Sequence, residues 1–233
     1  MKINNYYDLE YFIERDRISL PTAHAVKIIA KKNKLAKILD VGCGTGKLIK
    51  FLNKNGFTTY GCDTAITAVN FTNKINRKKV ATVASAEKLP YKNNAFDLLL
   101  SISTIEHLTK TQVNKFLKEA RRVLKPNGFI FIVTPNLATP IRILQGKKWF
   151  GYKDPTHINF FTPLSLKSIL KKNGFSNFKF LFKTNYRISY DWEFPAIFRN
   201  LPKPLKNLTI FLFFSSPLTF LRNSIWLSAK IKK

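Results

Sequence analysis

Cysteine is scarce in this chain of 233 residues, where only Cys43 and Cys62 occur. Two cysteines cannot form a disulfide framework, and without paired CxxC motifs the sequence shows no zinc site of the usual spacing. We therefore predict that the chain has no metal site and that its thiols stay reduced, as in the cytoplasm. Residues 1–14 contain acids and lack the basic-then-apolar order of a secretory signal, which favours the same localisation.

Acidic residues are also few, with 13 Asp and Glu against 40 Lys and Arg, so the formal net charge is +27. A field of this sign attracts nucleic acid, anionic lipid head groups or acidic metabolites. A compositional preference for Lys would explain the abundant bases, but it does not explain the shortage of acids. We expect an anionic partner, and the charge alone does not decide which one.

Long hydrophobic runs are absent. The longest candidate, Leu208–Leu221, has about fourteen residues and contains Pro217, whereas a membrane-spanning helix needs about 20. Lys203, Lys206 and Arg222 flank it, which favours contact with an anionic membrane surface through residues 203–222. A helix packed on the sheet, or a contact between copies of the chain, stays open as an alternative. The aromatic segments 6–12, 149–161 and 190–198 are predicted to form an apolar lid.

The pattern along the chain is that of an α/β protein. Short apolar runs alternate with amphipathic stretches, which predicts right-handed crossovers and a mostly parallel, doubly wound sheet with helices on both faces. We predict one domain over residues 1–233, with a helical cap (1–33), a core (34–135) and an acceptor-side lid (136–233) that includes an apolar insert (191–223). Predicted strands are 36–41, 57–62, 79–84, 96–102, 129–134, 175–190 and 224–231, and predicted helices are 46–54, 65–76, 111–124 and 163–173, after two short helices separated at Pro21.

A glycine-rich loop, Asp40-Val41-Gly42-Cys43-Gly44-Thr45-Gly46, follows the first predicted core strand. It fits neither a P-loop, because Val41 and Leu48 occupy required positions, nor a dinucleotide fingerprint, because Lys47 replaces the third small residue. Asp40 would repel a pyrophosphate but attract an ammonium or sulfonium group. Asp63 ends the second core strand, where an acid can accept hydrogen bonds from both ribose hydroxyls. The pattern favours a cationic nucleoside cofactor.

Beyond the loop, four further segments occur in order: Ala84–Tyr91, Asn94–Ser101, Ile105–Leu108 and Ala120–Gly128. With the loop, they resemble the class I, Rossmann-like S-adenosylmethionine-dependent methyltransferases over residues 36–135, especially the ubiquinone and menaquinone biosynthesis branch. The resemblance implies a seven-stranded sheet and S-adenosylmethionine as the cofactor. The residues assigned to cofactor binding are Asp40, Gly42, Cys43, Gly44, Gly46, Asp63, Thr64, Ser85, Ala86, Glu87, Ser101 and Ile102.

Ser85 departs from the family, which usually has Asp there to accept a hydrogen bond from the adenine amino group. A serine hydroxyl still accepts a hydrogen bond, but it cannot form a charge-assisted one. We therefore expect adenine to depend more on backbone groups and on apolar contacts near Ala86 and Ile102.

Methyl transfer from a sulfonium is an in-line displacement, which needs a general base only if the acceptor must lose a proton. His107 is one candidate, because it follows the fourth core strand and ligands bind at the carboxyl ends of such strands. His157 is the other, because the stretch 154–162 resembles the family's segment at the acceptor pocket. A purely structural role remains open for both histidines. His24, Cys43 and Cys62 are interpreted as packing residues, and Asp97 as a cap for backbone amides.

The acceptor is less well defined than the cofactor. We predict a small-molecule or lipid-linked acceptor and favour O-methylation. An RNA methyltransferase and a catalytically silent S-adenosylmethionine-binding regulatory protein are the alternatives, although no RNA-binding module or RNP-like strand is visible. The oligomeric state cannot be predicted from the sequence.

Overall fold

A computed structural model describes residues 19–181, 200–206, 208 and 222–232. The predicted helix before Pro21, the aromatic segments 6–12 and 190–198, and most of the apolar run Leu208–Leu221 lie outside the described residues.

The described chain alternates strands and helices. The helices are α1 (Leu20–Lys32), α2 (Lys47–Lys54), α3 (Ile66–Asn76), α4 (Lys110–Val123), α5 (Pro140–Gln145), α6 (Phe150–Lys153) and α7 (Pro163–Lys172). The strands are β1 (Lys37–Val41), β2 (Thr58–Asp63), β3 (Ala81–Val83), β4 (Phe96–Ile102), β5 (Leu124–Pro135), β6 (Phe175–Phe180) and β7 (Ser224–Ile231), and 3₁₀ turns occupy Ile105–His107 and Gly146–Lys148.

The strands form one seven-stranded sheet in the order β3-β2-β1-β4-β5-β7-β6. Neighbours from β3 to β5 pair in parallel, whereas β7 pairs antiparallel with both β5 and β6. This confirms the predicted Rossmann-like, mostly parallel sheet. Chain order reverses between β1 and β4, so the carboxyl ends of these two strands flank a crevice where ligands bind in folds of this type.

Helices cover both faces of the sheet, as predicted. Side chains alternate along β4: Leu98 and Leu100 pack with α1 and α2, whereas Leu99 packs with α4 and α7. These side chains are fully buried, which explains why the strand reads as a continuous apolar run.

Pro21 lies in the first turn of α1, where a proline is tolerated because the backbone N–H has no helical partner, and the helix predicted before it lies outside the described residues. The predicted strand 129–134 is longer, since β5 begins at Leu124. The turn at 126–128 is accommodated where the pairing with β4 shifts register between Phe96 and Leu98.

The segment after β5 is the one predicted to form a lid. Residues 140–153 form α5, a 3₁₀ turn and α6, and Trp149 is fully buried beneath them. The prediction that Arg222 is a surface cation is wrong. Arg222 is 2% exposed and its guanidinium lies 5.2 Å from the ring centroid of Trp226, because β7, which begins two residues later, lies between β5 and β6 in the sheet.

Candidate active site

The glycine-rich loop connects β1 to α2 and has the backbone conformation that its sequence predicts. Gly42, Gly44 and Gly46 all have positive φ, at 74°, 51° and 67°. A Cβ atom on Gly42 would lie 2.4 Å from Oγ1 of Thr104, and one on Gly46 would lie 2.4 Å from Cγ2 of Thr72. The glycines are therefore required by the turn and by close packing of the protein against itself.

Asp63, at the end of β2, is bonded to this loop. Its Oδ2 atom accepts a hydrogen bond from the Gly44 amide, and its Oδ1 atom accepts one from the Ala65 amide, each at 3.0 Å. A carboxylate offers about four lone-pair positions, so Asp63 keeps acceptor capacity for a ligand. Burial raises the pKa of Asp63, while the amides of Ala65, Gly44 and Thr64 oppose the shift. Asp63 and Thr64 both line the cleft above the loop, where the sequence places a ribose.

Asp40, near the end of β1, is only 3% exposed and also lines the cleft. Burial raises the pKa of Asp40 to about 7, and the charge of Asp63 adds to the shift. An isolated carboxylate is costly in such a place, and a cationic ligand group would offset that cost. The buried acid therefore fits the ammonium or sulfonium of the predicted cofactor.

Three residues predicted to contact adenine lie together at the next strand ends. Ser85, Ala86 and Ile102 line the cleft, with Ser85 exposed and Ala86 buried. The Ser85 hydroxyl accepts a hydrogen bond from the Glu87 amide at 3.1 Å. It retains a second lone pair and its own proton for a ligand.

Three residues of the predicted cofactor set do not line the cleft. Gly46 packs on Thr72, Ser101 is fully buried within β4, and the Glu87 carboxylate bonds Gln112 at 2.7 Å and Lys115 at 3.1 Å. Gln112 does line the cleft, so Glu87 holds a residue of the wall. The remaining predicted residues of this set, Gly42, Cys43 and Gly44, line it together with Thr45.

Three residues interpreted as structural, Cys43, Cys62 and Asp97, are buried or cap backbone amides. Cys43 and Cys62 are buried, and burial raises the pKa of both thiols, so neither is an activated nucleophile. Asp97 caps the amides of Ala36 and Lys37 at 3.1 and 2.8 Å and bonds Lys125.

The two candidate histidines meet across the cleft from the loop. His107 lies on the 3₁₀ turn after β4 and His157 follows α6, and their ring centroids are 4.8 Å apart. His157 donates a hydrogen bond through Nδ1 to the Gly151 carbonyl at 2.8 Å. His107 Nδ1 lies 2.8 Å from Oγ1 of Thr156. Burial lowers the pKa of His107, and the neighbouring His157 lowers it further.

Glu106 belongs to this cluster and was not assigned a role from the sequence. It is 1% exposed, lines the cleft and bonds Thr134 Oγ1 through Oε2 at 3.0 Å. Burial raises the pKa of Glu106 to about 7. An acid directly before a histidine at a strand end was the available signal, but the sequence does not show that His157 joins them.

Both groups of residues line one continuous cleft of about 970 Å³. It reaches from Asp40 and Asp63 to Glu106, His107 and His157 along the carboxyl ends of β1, β2 and β4. Its size is near the upper end of the usual range for small-molecule sites, about 300–1,000 Å³. A cofactor and an acceptor can therefore be placed in contact within it.

Known proteins resemble this chain in sequence and in structure. A family model described as a methyltransferase domain matches residues 13–179. The chain is 33% identical over 156 residues to a ubiquinone biosynthesis O-methyltransferase of Pelagibacter ubique, a match that covers 63% of this chain and 64% of that protein. It is 30% identical over 184 residues to a malonyl-[acyl-carrier protein] O-methyltransferase of Geobacter sulfurreducens, covering 72% of this chain and 65% of that protein. The chain thus spans just under two thirds of the length of each relative.

A solved structure supports the fold. A SAM-dependent methyltransferase from Archaeoglobus fulgidus has a TM-score of 0.62 at 19% identity, and the match covers 97% of this chain and 100% of that one. The family model covers well over half of the chain, and Asp40 and Asp63, both predicted to bind the cofactor, line the cleft. The chain therefore belongs to the methyltransferase-domain family and to its Rossmann-like, S-adenosylmethionine-dependent class.

Proposed function

We propose that the chain transfers a methyl group from S-adenosylmethionine to an oxygen atom of a small-molecule or lipid-linked acceptor. The single observation that carries this proposal is the continuous cleft, which joins Asp40 and Asp63 to a partly buried cluster of Glu106, His107 and His157. An acceptor hydroxyl must lose a proton on methylation, and this cluster is the group of titratable side chains beside the predicted cofactor site.

Each side of the cleft has a distinct task in this proposal. Asp40 pairs with the cationic groups of the cofactor, Asp63 accepts from the ribose hydroxyls, and Ser85 accepts from the adenine amino group. The bound cofactor supplies an electrophilic methyl group. The histidine pair contacts the acceptor hydroxyl and assists loss of its proton, while Phe150 and Ile158, which line the same cleft, help to exclude water.

The relatives support the choice of oxygen. Both are named O-methyltransferases, one acting in ubiquinone biosynthesis and the other on malonyl-[acyl-carrier protein]. Their acceptors differ, so they favour a reaction type and not one substrate.

An assay of methyl transfer tests the proposed reaction. The purified chain, supplied with S-adenosylmethionine and a panel of phenols, polyprenyl phenols and carboxylic acids, should release S-adenosylhomocysteine with at least one acceptor. Mass spectrometry of the product should locate the methyl group on oxygen. Binding of S-adenosylhomocysteine without turnover on any acceptor, RNA included, would favour the silent regulatory protein. Methyl incorporation into RNA alone would favour the nucleic-acid alternative.

We further propose that a lipid-linked acceptor is reached at an anionic membrane surface. In α5, Ile143 and Leu144 are 74% and 73% exposed, and Lys147 and Lys148 follow them at the end of the cleft lid. Leu205 and Leu208 are more than half exposed beside Lys203. Exposed apolar side chains next to cations are typical of proteins that bind at the interface of anionic lipids. In the described part of the chain, no helix is long and apolar enough to cross a membrane.

Flotation with anionic liposomes tests this part. Replacing Ile143 and Leu144 by Ser should abolish flotation, because each apolar side chain contributes about 1.5–3 kcal/mol when buried. The same test applies to Phe211, Leu212, Phe213 and Phe214 in the apolar run. Salt alone does not discriminate, since phosphate contacts in RNA also weaken with salt. Undiminished flotation of folded variants that still bind cofactor would contradict the membrane proposal.

A further inference from the structure

Exposed cations line the edge of the sheet opposite the cleft. The helices α1, α2 and α3 each end beside the amino end of the next strand, which is β1, β2 or β3. We define the basic edge as the six exposed lysines at these three helix ends, which are Lys31, Lys32, Lys34, Lys54, Lys78 and Lys79. We propose that the basic edge binds the phosphate backbone of a nucleic acid, and that the nucleic acid held there is not the methyl acceptor.

Hydrogen bonds and strand pairing bring the three helix ends together. The Thr58 amide, at the start of β2, donates to the Ala36 carbonyl, just before β1, at 2.9 Å. Lys27 of α1 donates through Nζ to Oδ1 of Asn55, the residue after α2, at 2.6 Å. On its other side, β2 pairs in parallel with β3, and neighbouring strands lie about 5 Å apart. The three groups of lysines are therefore neighbours along one edge of the sheet.

The acids of this part of the chain lie at the other end. Residues 19–86 contain two acids, Asp40 and Asp63, and both line the cleft. The ion pairs of the described residues involve Lys115, Arg122 and Lys125, so none of them includes a lysine of the basic edge. The described part of the protein therefore leaves the charge of the basic edge available to an anionic partner.

Helix stabilisation explains only half of these lysines. A cation in the last turn of a helix interacts favourably with the helix dipole, which accounts for Lys31, Lys32 and Lys54. The effect falls off beyond the last turn. Lys34 follows the end of α1 by two residues, and Lys78 and Lys79 follow the end of α3 at Asn76. The dipole gives no reason for these three lysines.

The composition of the basic edge favours a nucleic acid over a lipid surface. Binding at a bilayer needs apolar side chains beside the cations. Leu20 and Ile66 begin helices and Val83 ends β3, so these exposed apolar side chains lie toward the cleft. Ile28, in the second half of α1, is the exposed apolar side chain of residues 19–86 that comes nearest to the basic edge. Phosphate contacts need cations and no apolar insertion, which is what the basic edge provides.

A nucleic acid on the basic edge is separated from the reacting groups. The cofactor and the acceptor are placed at the carboxyl ends of the strands, whereas the basic edge lies at their amino ends. A strand of five residues, such as β1, is about 16 Å long. The cleft therefore stays open when the basic edge is occupied. Because phosphate contacts fix position and carry no sequence information, the partner is recognised as a polyanion. The inference goes beyond the proposed function and does not depend on it.

Fluorescence anisotropy with a labelled DNA duplex tests the basic edge. The logarithm of the affinity should fall linearly with the logarithm of the salt concentration, with a slope of about −0.9 for each phosphate contact. The triple variant Lys34→Gln, Lys78→Gln, Lys79→Gln should bind about tenfold more weakly or worse at low salt, and the magnitude of its slope should drop by about 2–3.

A second triple variant is the matched control for net charge. Lys88→Gln, Lys110→Gln and Lys118→Gln remove the same charge from exposed positions, two of them on α4, which covers the other face of the sheet. This control should keep the affinity and the slope of the unmodified chain. Equal losses in both triple variants would overturn the proposal, and so would an unmodified chain that does not bind the duplex at low salt.

Two further measurements separate the other outcomes. Flotation with anionic liposomes that depends on the basic edge, in a chain whose affinity for the duplex does not, would assign the edge to a membrane and contradict the proposal. Calorimetry with S-adenosylhomocysteine should give the same affinity in both triple variants and with saturating duplex. Competition between the duplex and S-adenosylhomocysteine would place the nucleic acid in the cleft and overturn its separation from the reacting groups.

The remaining lysines of the basic edge provide an independent variant. Lys31→Gln, Lys32→Gln and Lys54→Gln should lower the magnitude of the salt slope by a similar amount. If the first triple variant does not fold, a reduced slope in this one supports the proposal and an unchanged slope contradicts it.

Discussion

The two halves of the cleft are built differently. On the cofactor side, backbone amides and glycines form the wall, and Asp63 reaches a loop that lies 19 residues earlier in the chain. On the acceptor side, side chains form the wall. Hydrogen bonds join His107 to Thr156 and Leu108 to Asn159, which lie 49 and 51 positions later in the chain. A wall made of backbone depends on a short motif, whereas a wall made of distant side chains depends on how whole segments pack. The following changes test this difference, starting with the largest expected effect.

Gly42→Ala should break the cofactor half. The loop would hold the new alanine in a left-handed backbone conformation, which costs about 1–2 kcal/mol. Its Cβ atom would also displace Thr104 from its hydrogen bond to the Val41 carbonyl. We expect a loss of about 2–4 kcal/mol in the free energy of unfolding and no detectable cofactor binding. Urea denaturation and calorimetry measure the two effects.

Gly56→Ala is the matched control, because Gly56 has φ of 86° but nothing within 4 Å of the added Cβ. Its free energy of unfolding should fall only by the cost of the left-handed backbone conformation, about 1–2 kcal/mol. Equal destabilisation by both substitutions would mean that the contact with Thr104 is unimportant.

Asp63→Ala should weaken cofactor binding by about 2–3 kcal/mol, because two hydrogen bonds to a charged acceptor are lost. Isothermal titration with S-adenosylmethionine gives the affinity. Asp97→Ala removes a carboxylate that also caps two backbone amides but lies outside the cleft, so its affinity should not change. An unaltered affinity in Asp63→Ala would reject the assignment of this acid to the ribose.

As pH rises, ionisation of Asp40 should strengthen cofactor binding and lower the stability of the fold. With its pKa raised to about 7 by burial and by Asp63, Asp40 becomes charged between pH 6 and 8. Affinity for the cationic cofactor should rise about tenfold across this interval. Stability should fall as pH rises from about 4 to about 7, since the folded state holds the proton more tightly than the unfolded state.

Calorimetry and urea denaturation at a series of pH values measure both trends. Asp40→Asn should flatten the change in affinity and remove the contribution of Asp40 to the fall in stability. If the variant retains the full pH dependence of binding, another group is responsible.

The smallest effect is expected at Ser85. Ser85→Ala should cost about 1 kcal/mol or less of cofactor affinity, since one neutral hydrogen bond is lost at an exposed position. Ser85→Asp should keep or improve the affinity, because a carboxylate accepts from the adenine amino group more strongly. Competition with S-adenosylhomocysteine measures the affinity of both variants. A large loss of affinity in Ser85→Asp would show that adenine is bound differently.

The fold was largely predictable because its signals are local. Each core strand was predicted within a few residues, since buried parallel strands are short apolar runs bounded by turns. The helix α1 begins beside Pro21, where the sequence predicted a boundary, because a proline is favoured in the first turn of a helix. Arg222 was misassigned because a cation beside an apolar run does not reveal that the next strand is inserted between two other strands of the sheet.

The sequence by itself determined the sheet, the cofactor loop and the family, because hydrophobic period, glycine spacing and strand-end acids act over a few residues. Only the tertiary structure decided that Glu106, His107 and His157 meet, and that Gly46, Glu87 and Ser101 lie away from the cleft. The physical reason is that the acceptor wall depends on hydrogen bonds between segments about 50 residues apart, such as those from Ile158 and Asn159 to the Glu106 carbonyl. Strand alternation and turn residues carry no information about which of these distant segments will pair.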